Sequence, residues 1–221
     1  MFRLLRNSER KFSVLLVAES HGGKIHPGSW NALTAAQRLK KPIDVLVLDA
    51  GVKEVPMKGD GVQEIFLSNH AAFTHATADV YTHAINNFIK TQKKYTHIVV
   101  ATSNWSKDYF PRLAGINHAM PVTDVIDVVD ESTFKRPTYA GNAVNTVKSP
   151  GPLHFIAARV TNFDAAAHSN GKTTIVDGDK LLAGLPKVIA TWVGEKHKDS
   201  GRPDLSLAKV VVTGGRGNSI I

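Results

Sequence analysis

Residues that could bind a phosphate are concentrated near the carboxyl terminus, in Gly214-Gly215-Arg216-Gly217. The β-branched run at residues 209–213 precedes these glycines and predicts a strand. A strand that leads into a glycine-rich turn normally opens a βα unit, in which backbone N–H groups meet a phosphate at the start of the helix. The chain continues only to Ile221. We therefore expect a second domain to begin near residue 198 and to be cut off after its first strand.

A second candidate for phosphate binding is His21-Gly22-Gly23-Lys24, which follows the first predicted strand. Its spacing lacks the Gly-x-x-x-x-Gly-Lys pattern of a phosphate-binding loop. Two adjacent glycines favour a turn, and we interpret the segment as one. A nucleotide site in the loop at residues 19–27 stays open, because related folds bind ligands at the carboxyl ends of their strands.

Other combinations of reactive side chains do not form a recognisable active site. The ten histidines lack the spacing of a metal-ligand set, and no Gly-x-Ser-x-Gly motif supports a hydrolase. The acids Asp124, Asp127, Asp130 and Glu131 lack the spacing of a calcium loop and are predicted to be solvated. Asp164 is expected to cap a turn or to hydrogen-bond a loop. The residues alone therefore predict no catalytic residue and no metal site.

Composition limits the class of protein. The chain has 221 residues, 43% of them apolar, which suits one α/β domain with or without a piece of another. No apolar run approaches the roughly 20 residues that span a bilayer. The net charge is +8, but the basic residues are scattered among acids, so nucleic-acid binding is not indicated. Cysteine is absent, which excludes disulfides and thiolate chemistry.

The first twelve residues are basic, with Arg3, Arg6, Arg10 and Lys11 set against Glu9. Such a segment is typical of a mitochondrial presequence, which is amphipathic, basic and poor in acids. A frayed basic terminus before the first strand is the other interpretation. We expect residues 1–12 to be a presequence that is dispensable for folding.

The chain then alternates strands and helices. Continuous apolar runs such as residues 13–18 suit strands that are buried on both faces of a parallel sheet. The predicted strands are 13–18, 45–48, 62–67, 96–101, 122–129, 153–160, 188–193 and 209–213. The predicted helices are 30–39, with Ser29 as N-cap, 77–90 and 107–115. This order predicts a three-layer α/β fold, an open and mostly parallel sheet with helices on both faces.

An antiparallel hairpin interrupts the alternation between Ser132 and Val147. Its two strands meet at Ala140-Gly141-Asn142, because Gly141 and Asn142 tolerate positive φ. Pro137 in the first strand has no N–H for a ladder and predicts an edge strand or a bulge.

Several ordered segments resemble the alpha subunit of the electron transfer flavoprotein. They are 17–19, 31–36, 95–97, 107 with 111–113, 124–126, the hairpin with Tyr139-Ala-Gly-Asn-Ala143, Arg159, Phe163-Asp-Ala-Ala-Ala167, Arg202-Pro-Asp-Leu205, and the run from Ala208 to Gly217. The hairpin and the Gly-Gly-Arg-Gly motif are the most specific of these matches.

The resemblance implies a domain of the adenine-nucleotide alpha-hydrolase-like fold and a heterodimer with a beta subunit. The complex would lie in the mitochondrial matrix and carry electrons from acyl-CoA and other mitochondrial dehydrogenases of fatty-acid beta-oxidation, by way of a membrane quinone oxidoreductase, towards the quinone pool. FAD would do the redox chemistry, and AMP would lie in the beta subunit. By its matching motif, Arg216 would contact FAD beside Gly214, Gly215 and Gly217. The implied domains are 13–197, an α/β domain, and 198–221, the start of a truncated FAD-binding domain.

Three hypotheses follow from these observations. The first is an electron carrier that depends on FAD-binding sequence outside these residues, and is inactive alone. The second is a scaffold that docks the beta subunit without redox chemistry. The third is a nucleotide-binding module that uses the loop at residues 19–27.

Overall fold

The chain is built around a seven-stranded parallel sheet. The computed structural model describes residues 12–168, 171–187, 190, 192–194, 208 and 210–215. The strand order is β12-β5-β4-β1-β6-β11-β7, so β1 lies at the centre between β4 and β6. Every residue of β1 and β4 is buried, as expected for strands covered by helices on both faces. The predicted open, mostly parallel α/β fold is confirmed.

The elements have the following bounds. The strands are β1 Ser13–Ala18, β2 Ser20–His21, β3 Lys24–Ile25, β4 Ile43–Leu48, β5 Val62–Ser68, β6 Tyr95–Ala101, β7 Pro121–Val125, β8 Asp127–Val128, β9 Thr133–Thr138, β10 Ala143–Lys148, β11 His154–Ala158 and β12 Thr173–Ile175. The helices are α1 Gly28–Gln37, α2 Ala78–Gln92, α3 Asn104–Ile116 and α4 Gly178–Leu182. Short 3₁₀ turns cover Ala71–Phe73, Tyr139–Gly141 and Val160–Asn162.

The helices form a layer on each face of the sheet. Helix α1 packs with alternate strand residues such as Leu16 and Val45 into one apolar cluster. Helices α2 and α3 pack with the opposite residues, such as Leu15 and Leu46, into a second cluster. The alternation of side chains along each buried strand therefore supplies both cores of the three-layer structure. Among the described helices, none combines the length and the apolar character that crossing a membrane requires.

The predicted hairpin forms a separate antiparallel sheet with the order β10-β9-β8. Strand β9 is its middle strand, so the prediction of an edge strand is wrong. Strand β8 pairs only with Phe134 and Lys135, while Pro137 pairs with Val144 of β10 alone. Pro137 thus stands where β9 has one neighbour, which is why its missing N–H is tolerated.

Several predicted boundaries differ from the structure. Ser29 lies inside α1, whose N-cap position is Pro27, because the Ser29 hydroxyl is engaged by Glu19 instead. Helix α3 begins earlier than predicted, because Ser103 and Ser106 form a capping box. The predicted strand 122–129 is broken at Ile126, and Asp124 has a φ of 55°. Strand β12 and helix α4 were not predicted, and β11 joins the parallel sheet between β6 and β7.

The carboxyl-terminal residues form a unit of their own. The chain divides into Met1–Thr191 and Trp192–Ile221. The residues described at 210–213 are not in a strand, and Val210 and Val212 are exposed, so the predicted strand there is wrong over these residues. Of the predicted strand at 188–193, the described residues 190, 192 and 193 are not in a strand, and the others lie outside the described residues. The proposed presequence lies outside them except for Phe12, and the domain boundary near 198 stays a prediction.

The turn between β9 and β10 requires Gly141, whose φ is 92°. Positive φ was predicted there and is confirmed, whereas Asn142 has a φ of −71° and Tyr139 and Ala140 are the other left-handed residues. Gly141→Val is expected to lower the free energy of unfolding by roughly 1–3 kcal/mol, because a β-branched residue is strained at that φ. Urea denaturation checks this value.

Helix glycine Gly115 is the matched control, because a Cβ there, as at Gly141, would meet no described atom within 4 Å. Gly115→Ala is expected to be neutral or stabilising by up to about 1 kcal/mol, since alanine favours a helix. Equal effects of the two substitutions would contradict the assignment of strain to Gly141.

Candidate functional site

The natural ligand site of this fold is the crevice where the strand order reverses. From β1 the chain passes to β4 and β5 on one side, and it then returns through α2 to β6 on the other side of β1. The residues that follow β1 and β6, Glu19 and Thr102–Ser103, therefore line the crevice at the carboxyl edge of the sheet. Asp49 follows the neighbouring strand β4 at the same edge.

Glu19 fills the centre of this crevice with a carboxylate that is 5% exposed. Its Oε1 lies 2.7 Å from His21 Nε2, whereas its buried Oε2 has no hydrogen-bond partner among the described residues. Burial pushes the pKa of Glu19 upwards, but the nearby His21 and Ser103 side chains and the charge of His26 outweigh it, so the pKa lies below its ordinary value. Glu19 is therefore ionised at neutral pH.

The backbone of Glu19 is held as firmly as its side chain. Its N–H donates to Ser29 Oγ over 3.0 Å, and Ser29 Oγ is 3.3 Å from the Glu19 carbonyl oxygen. Ser103 is in turn the N-cap of α3 and accepts a hydrogen bond from Ser106 N. The N-terminus of α3, where an anion would be favoured, thus already has a carboxylate and a capping hydroxyl beside it.

The segment His21-Gly22-Gly23-Lys24 covers the crevice as the β2–β3 hairpin. Gly22 and Gly23 have φ values of 55° and 81°, the pattern of a two-residue hairpin turn, which confirms the interpretation as a turn. The backbones of Gly23 and Gly51 are in close contact, since a Cβ on Gly23 would lie 2.7 Å from Gly51 O. The Gly51 N–H donates to Asp49 Oδ1 over 2.7 Å. The loops after β1 and β4 therefore close over the sheet edge.

Aromatic side chains from α2 and α3 pack behind the crevice. Tyr81, Trp105 and Tyr109 have neighbouring rings with centroid separations between 4.7 and 5.9 Å. Burial raises the pKa of Tyr81 to about 12, and the charges of Asp49 and Glu19 add to the rise against a hydrogen bond from Trp105. Burial likewise raises the pKa of Tyr109. Both phenols stay protonated at neutral pH, and their rings belong to the apolar core between α2, α3 and the sheet.

A phosphate would be disfavoured in this crevice, because it would have to displace or neutralise a buried carboxylate. Asp49, 8% exposed, brings a second acid to the same edge. In the part of the chain that the structure describes, no three His, Asp or Glu side chains come together as a metal site would require. The arrangement suits a closed structural junction rather than a nucleotide site.

The glycine-rich motif has a different environment. Gly214 and Gly215 are exposed, and a Cβ on Gly215 would meet no described atom within 4 Å. Arg216 and Gly217 lie outside the described residues. The described residues of this motif therefore do not enclose a flavin phosphate.

The remaining predicted residues have structural contacts. Asp127 pairs with Arg38 at 2.8 Å and Lys135 at 3.1 Å, and Glu131 pairs with Lys41. Asp164 contributes its backbone carbonyl oxygen, which accepts a hydrogen bond from Thr34 Oγ1 of α1 over 2.7 Å, so the contact is neither the expected cap nor a contact with a loop. The sequence did not predict the role of Glu19, although its place directly after the apolar run at residues 14–18 was a signal for a buried acid.

Comparison with known proteins identifies the family. The model of the electron transfer flavoprotein domain matches residues 14–180. Similar proteins include the electron transfer flavoprotein subunit alpha of Pseudomonas aeruginosa, 31% identical over 93% of this chain and 65% of the relative. The mitochondrial alpha subunit of Dictyostelium discoideum is 33% identical over 96% of this chain and 64% of its own length, and a probable one from Schizosaccharomyces pombe is 32% identical over 93% and 60%.

The matches cover most of this chain but only part of each relative. This chain spans 60% to 65% of the length of those relatives. The matched region includes the seven strands of the parallel sheet, except for the first residue of β1, and both strands of the hairpin. The chain therefore belongs to the electron transfer flavoprotein family, and within that family it matches the alpha subunit.

Proposed function

We propose that residues 13–197 are the amino-terminal α/β domain of an electron transfer flavoprotein alpha subunit and serve it as scaffold and partner interface. The observation that carries the proposal is the buried Glu19 carboxylate at the carboxyl edge, which lies against His21 of the β2–β3 hairpin. A buried anion at that place disfavours the phosphate of a nucleotide where the fold would offer it a site. The family match over residues 14–180 supports the alpha-subunit role.

The activity of the whole protein is a further part of the proposal. The complete alpha subunit would bind FAD and form a heterodimer with a beta subunit that holds AMP. The pair would pass electrons from acyl-CoA and other dehydrogenases towards the quinone pool. Relatives from eukaryotes carry mitochondrial names, and a bacterial relative is also similar, so a mitochondrial matrix location is proposed from the former and from the basic first twelve residues.

The heterodimer is tested by co-expression of these 221 residues with a beta subunit. Retention of the beta subunit on a tagged copy of this chain supports the interface role. A complete alpha subunit, such as the Pseudomonas aeruginosa relative with its own beta subunit, is the control. We expect this chain to retain less partner than the control does, because it spans 60% to 65% of its relatives and offers less area for an interface. The absence of any co-purification would overturn the interface role.

These 221 residues alone are expected not to retain FAD. A dinucleotide needs most of its surface enclosed, whereas Gly214 and Gly215 are exposed. Charge-assisted contacts at an open, wet site contribute little. The purified chain should lack visible flavin absorption, and added FAD should keep its free fluorescence. Stoichiometric flavin in the purified chain would contradict the expectation. In that case Arg216→Ala would test the proposed contact, with Arg159→Ala as the control at a basic residue outside the motif.

A nucleotide-binding module is the alternative function, and the loop after β1 is where it would act. Calorimetric titration with AMP tests it, and no binding is expected. Glu19→Gln removes the charge and keeps the shape of the side chain. Binding of AMP to the wild-type chain would favour the alternative, whereas binding only to the Glu19→Gln variant would identify the carboxylate as the group that excludes a phosphate.

A further inference from the structure

Two histidines lie side by side at the opposite, amino edge of the sheet. His97 of β6 and His154 of β11 are register partners on adjacent parallel strands, and their ring centroids are 4.8 Å apart. They are 1% and 8% exposed. Neither belongs to the crevice around Glu19 or to the glycine-rich motif. Buried neighbouring imidazoles are uncommon enough to require a physical account of their protonation.

The pair contacts the segment that leads into the small antiparallel sheet. We call residues 129–132, between β8 and β9, the latch loop. His97 Nε2 lies 2.7 Å from the Glu131 carbonyl oxygen, and its Nδ1 lies 2.8 Å from Thr96 Oγ1. A neutral His97 with its proton on Nε2 satisfies both contacts, since it donates to the carbonyl and accepts from the hydroxyl.

The hydrogen bonding of His154 is less complete than that of His97. Its Nδ1 is buried and has no hydrogen-bond partner among the described residues. A neutral ring can leave that nitrogen as an unpaired acceptor, but an imidazolium carries a proton on both nitrogens. Protonation of His154 would therefore bury an unpaired N–H together with a charge, which is costly.

The surrounding charges do not compensate for this cost. From the loop before β4, Lys41 pairs with the Glu131 carboxylate at 2.8 Å, and the Glu131 side chain is itself mostly exposed. Burial, with smaller effects of the charges of His154 and Lys41, lowers the pKa of His97 to about 4, although the hydrogen bond to the Glu131 carbonyl and the charge of the Glu131 carboxylate act in the opposite direction. Burial is also the main reason that the pKa of His154 is lowered. Both rings are neutral at neutral pH.

The latch loop is joined to the rest of the chain through backbone contacts of its own. Ser149 N donates to Ser132 O over 2.7 Å, and Val129 N donates to Thr133 O over 3.0 Å. Asp130 binds the Ser132 amide and hydroxyl within the loop. These contacts lie within the loop and its flanking strands, whereas His97 contacts the Glu131 carbonyl and Lys41 the Glu131 carboxylate from outside the small sheet.

We propose that His97 and His154 form an acid-sensitive latch that seats the loop 129–132 against the main sheet when both rings are neutral and releases it when they are protonated. The direction follows from the lowered proton affinity of the folded state. Between the ordinary pKa of histidine and the pKa of the buried rings, the open form binds protons that the closed form does not, so a fall in pH favours opening. At higher pH both forms are neutral, and the latch stays closed.

Hydrogen exchange of the full chain between about pH 7 and about pH 5, corrected for the intrinsic rate, tests the latch. The amides of Val129 and Ser149 should lose protection on the order of tenfold or more, because one pKa unit of differential affinity corresponds to a factor of ten. Amides of β1 and β4 should keep theirs. The His97→Gln/His154→Leu double variant retains a donor to Glu131 O and removes the titration, so its latch loop should show no such loss.

The exposed His118 supplies the matched control, and His118→Asn suits its left-handed backbone and should leave the wild-type response unchanged. Equal loss of protection in the double variant, or parallel loss in β1 and β4, would overturn the proposal. If the double variant fails to fold, the proposal is tested on the wild-type chain by following the imidazole NMR resonances of both histidines as the pH is changed. Titration of His97 and His154 near the ordinary histidine pKa would overturn the latch, and titration well below it, together with selective opening of the loop, would support it.

Discussion

Phe134→Ala is expected to lower the free energy of unfolding by about 3–5 kcal/mol, among the largest effects of a single substitution in this chain. Phe134 lies on β9 of the small sheet, but its side chain is fully buried in the cluster that α1 forms with the main sheet. Val128 and Val147, from the two neighbouring strands, pack against the same cluster. Removal of the ring leaves a cavity at the point where the small sheet is attached, and chemical denaturation measures the loss.

Val144→Ala is the matched control on the same hairpin, because the Val144 side chain is 56% exposed. Its effect should remain within about 0.5 kcal/mol. Hydrogen exchange should also distinguish the two variants, since only Phe134→Ala should accelerate exchange throughout β9 and β10. A loss below about 1 kcal/mol for Phe134→Ala would contradict the assignment of this residue as the anchor of the small sheet.

Asp44→Ala is expected to cost about 2–4 kcal/mol, because it leaves two polar groups without their buried partner. Asp44 is 2% exposed and lies near the amino edge of β4. Its Oδ2 accepts a hydrogen bond from the Tyr95 hydroxyl over 2.9 Å and pairs with Lys94 Nζ at 2.7 Å. Burial first, and then the charge of Asp44, raises the pKa of Tyr95. The Lys94 ammonium is partly exposed and can recover some hydration when Asp44 is removed. The expected loss of unfolding free energy is therefore smaller than for a fully buried ion pair.

Glu64→Ala removes the exposed ion-pair partner of Lys94 and serves as the comparison for Asp44→Ala. Glu64 pairs with Lys94 at 3.3 Å in an accessible position, so its removal should cost less than about 1 kcal/mol. The loss of unfolding free energy for Asp44→Asn should lie between the losses for Asp44→Ala and Glu64→Ala. The amide oxygen still accepts a hydrogen bond from Tyr95, but the charge that pairs with Lys94 is lost. A smaller loss for Asp44→Ala than for Glu64→Ala in thermal or urea denaturation would show that the buried pair does not stabilise the sheet.

The main sheet was predictable because its strands contain apolar, β-branched runs, such as residues 45–48 and 98–101. Strand β1 was predicted with its observed bounds, and β4, β5 and β6 were located within one or two residues. Strand β12 and helix α4 could not be read from the sequence. They are short, and three or five residues carry too little periodicity to identify them. Their place is set by tertiary contacts, such as the pairing of β12 with β5.

The candidate site was less predictable, for a different reason. The role of Glu19 depends on Ser29 and Ser103, which are 10 and 84 positions away along the chain and are brought together by the reversal of the strand order. The histidine pair depends on the register of β6 against β11. No local pattern encodes that register. By contrast, the turn at Gly22-Gly23 was predictable, because adjacent glycines with positive φ are a local requirement.

The position of β1 at the centre of the sheet has a consequence for synthesis of the chain. Its neighbours are β4, which ends at Leu48, and β6, which begins only at Tyr95. A nascent chain that is emerging from the ribosome therefore carries the apolar run from Val14 to Ala18 with one edge unpaired until the 83 residues from Glu19 to Ala101 have followed. Parallel pairing between distant segments is slow and exposes such edges to aggregation. Chaperone dependence during translation is accordingly expected to centre on the segment before Tyr95.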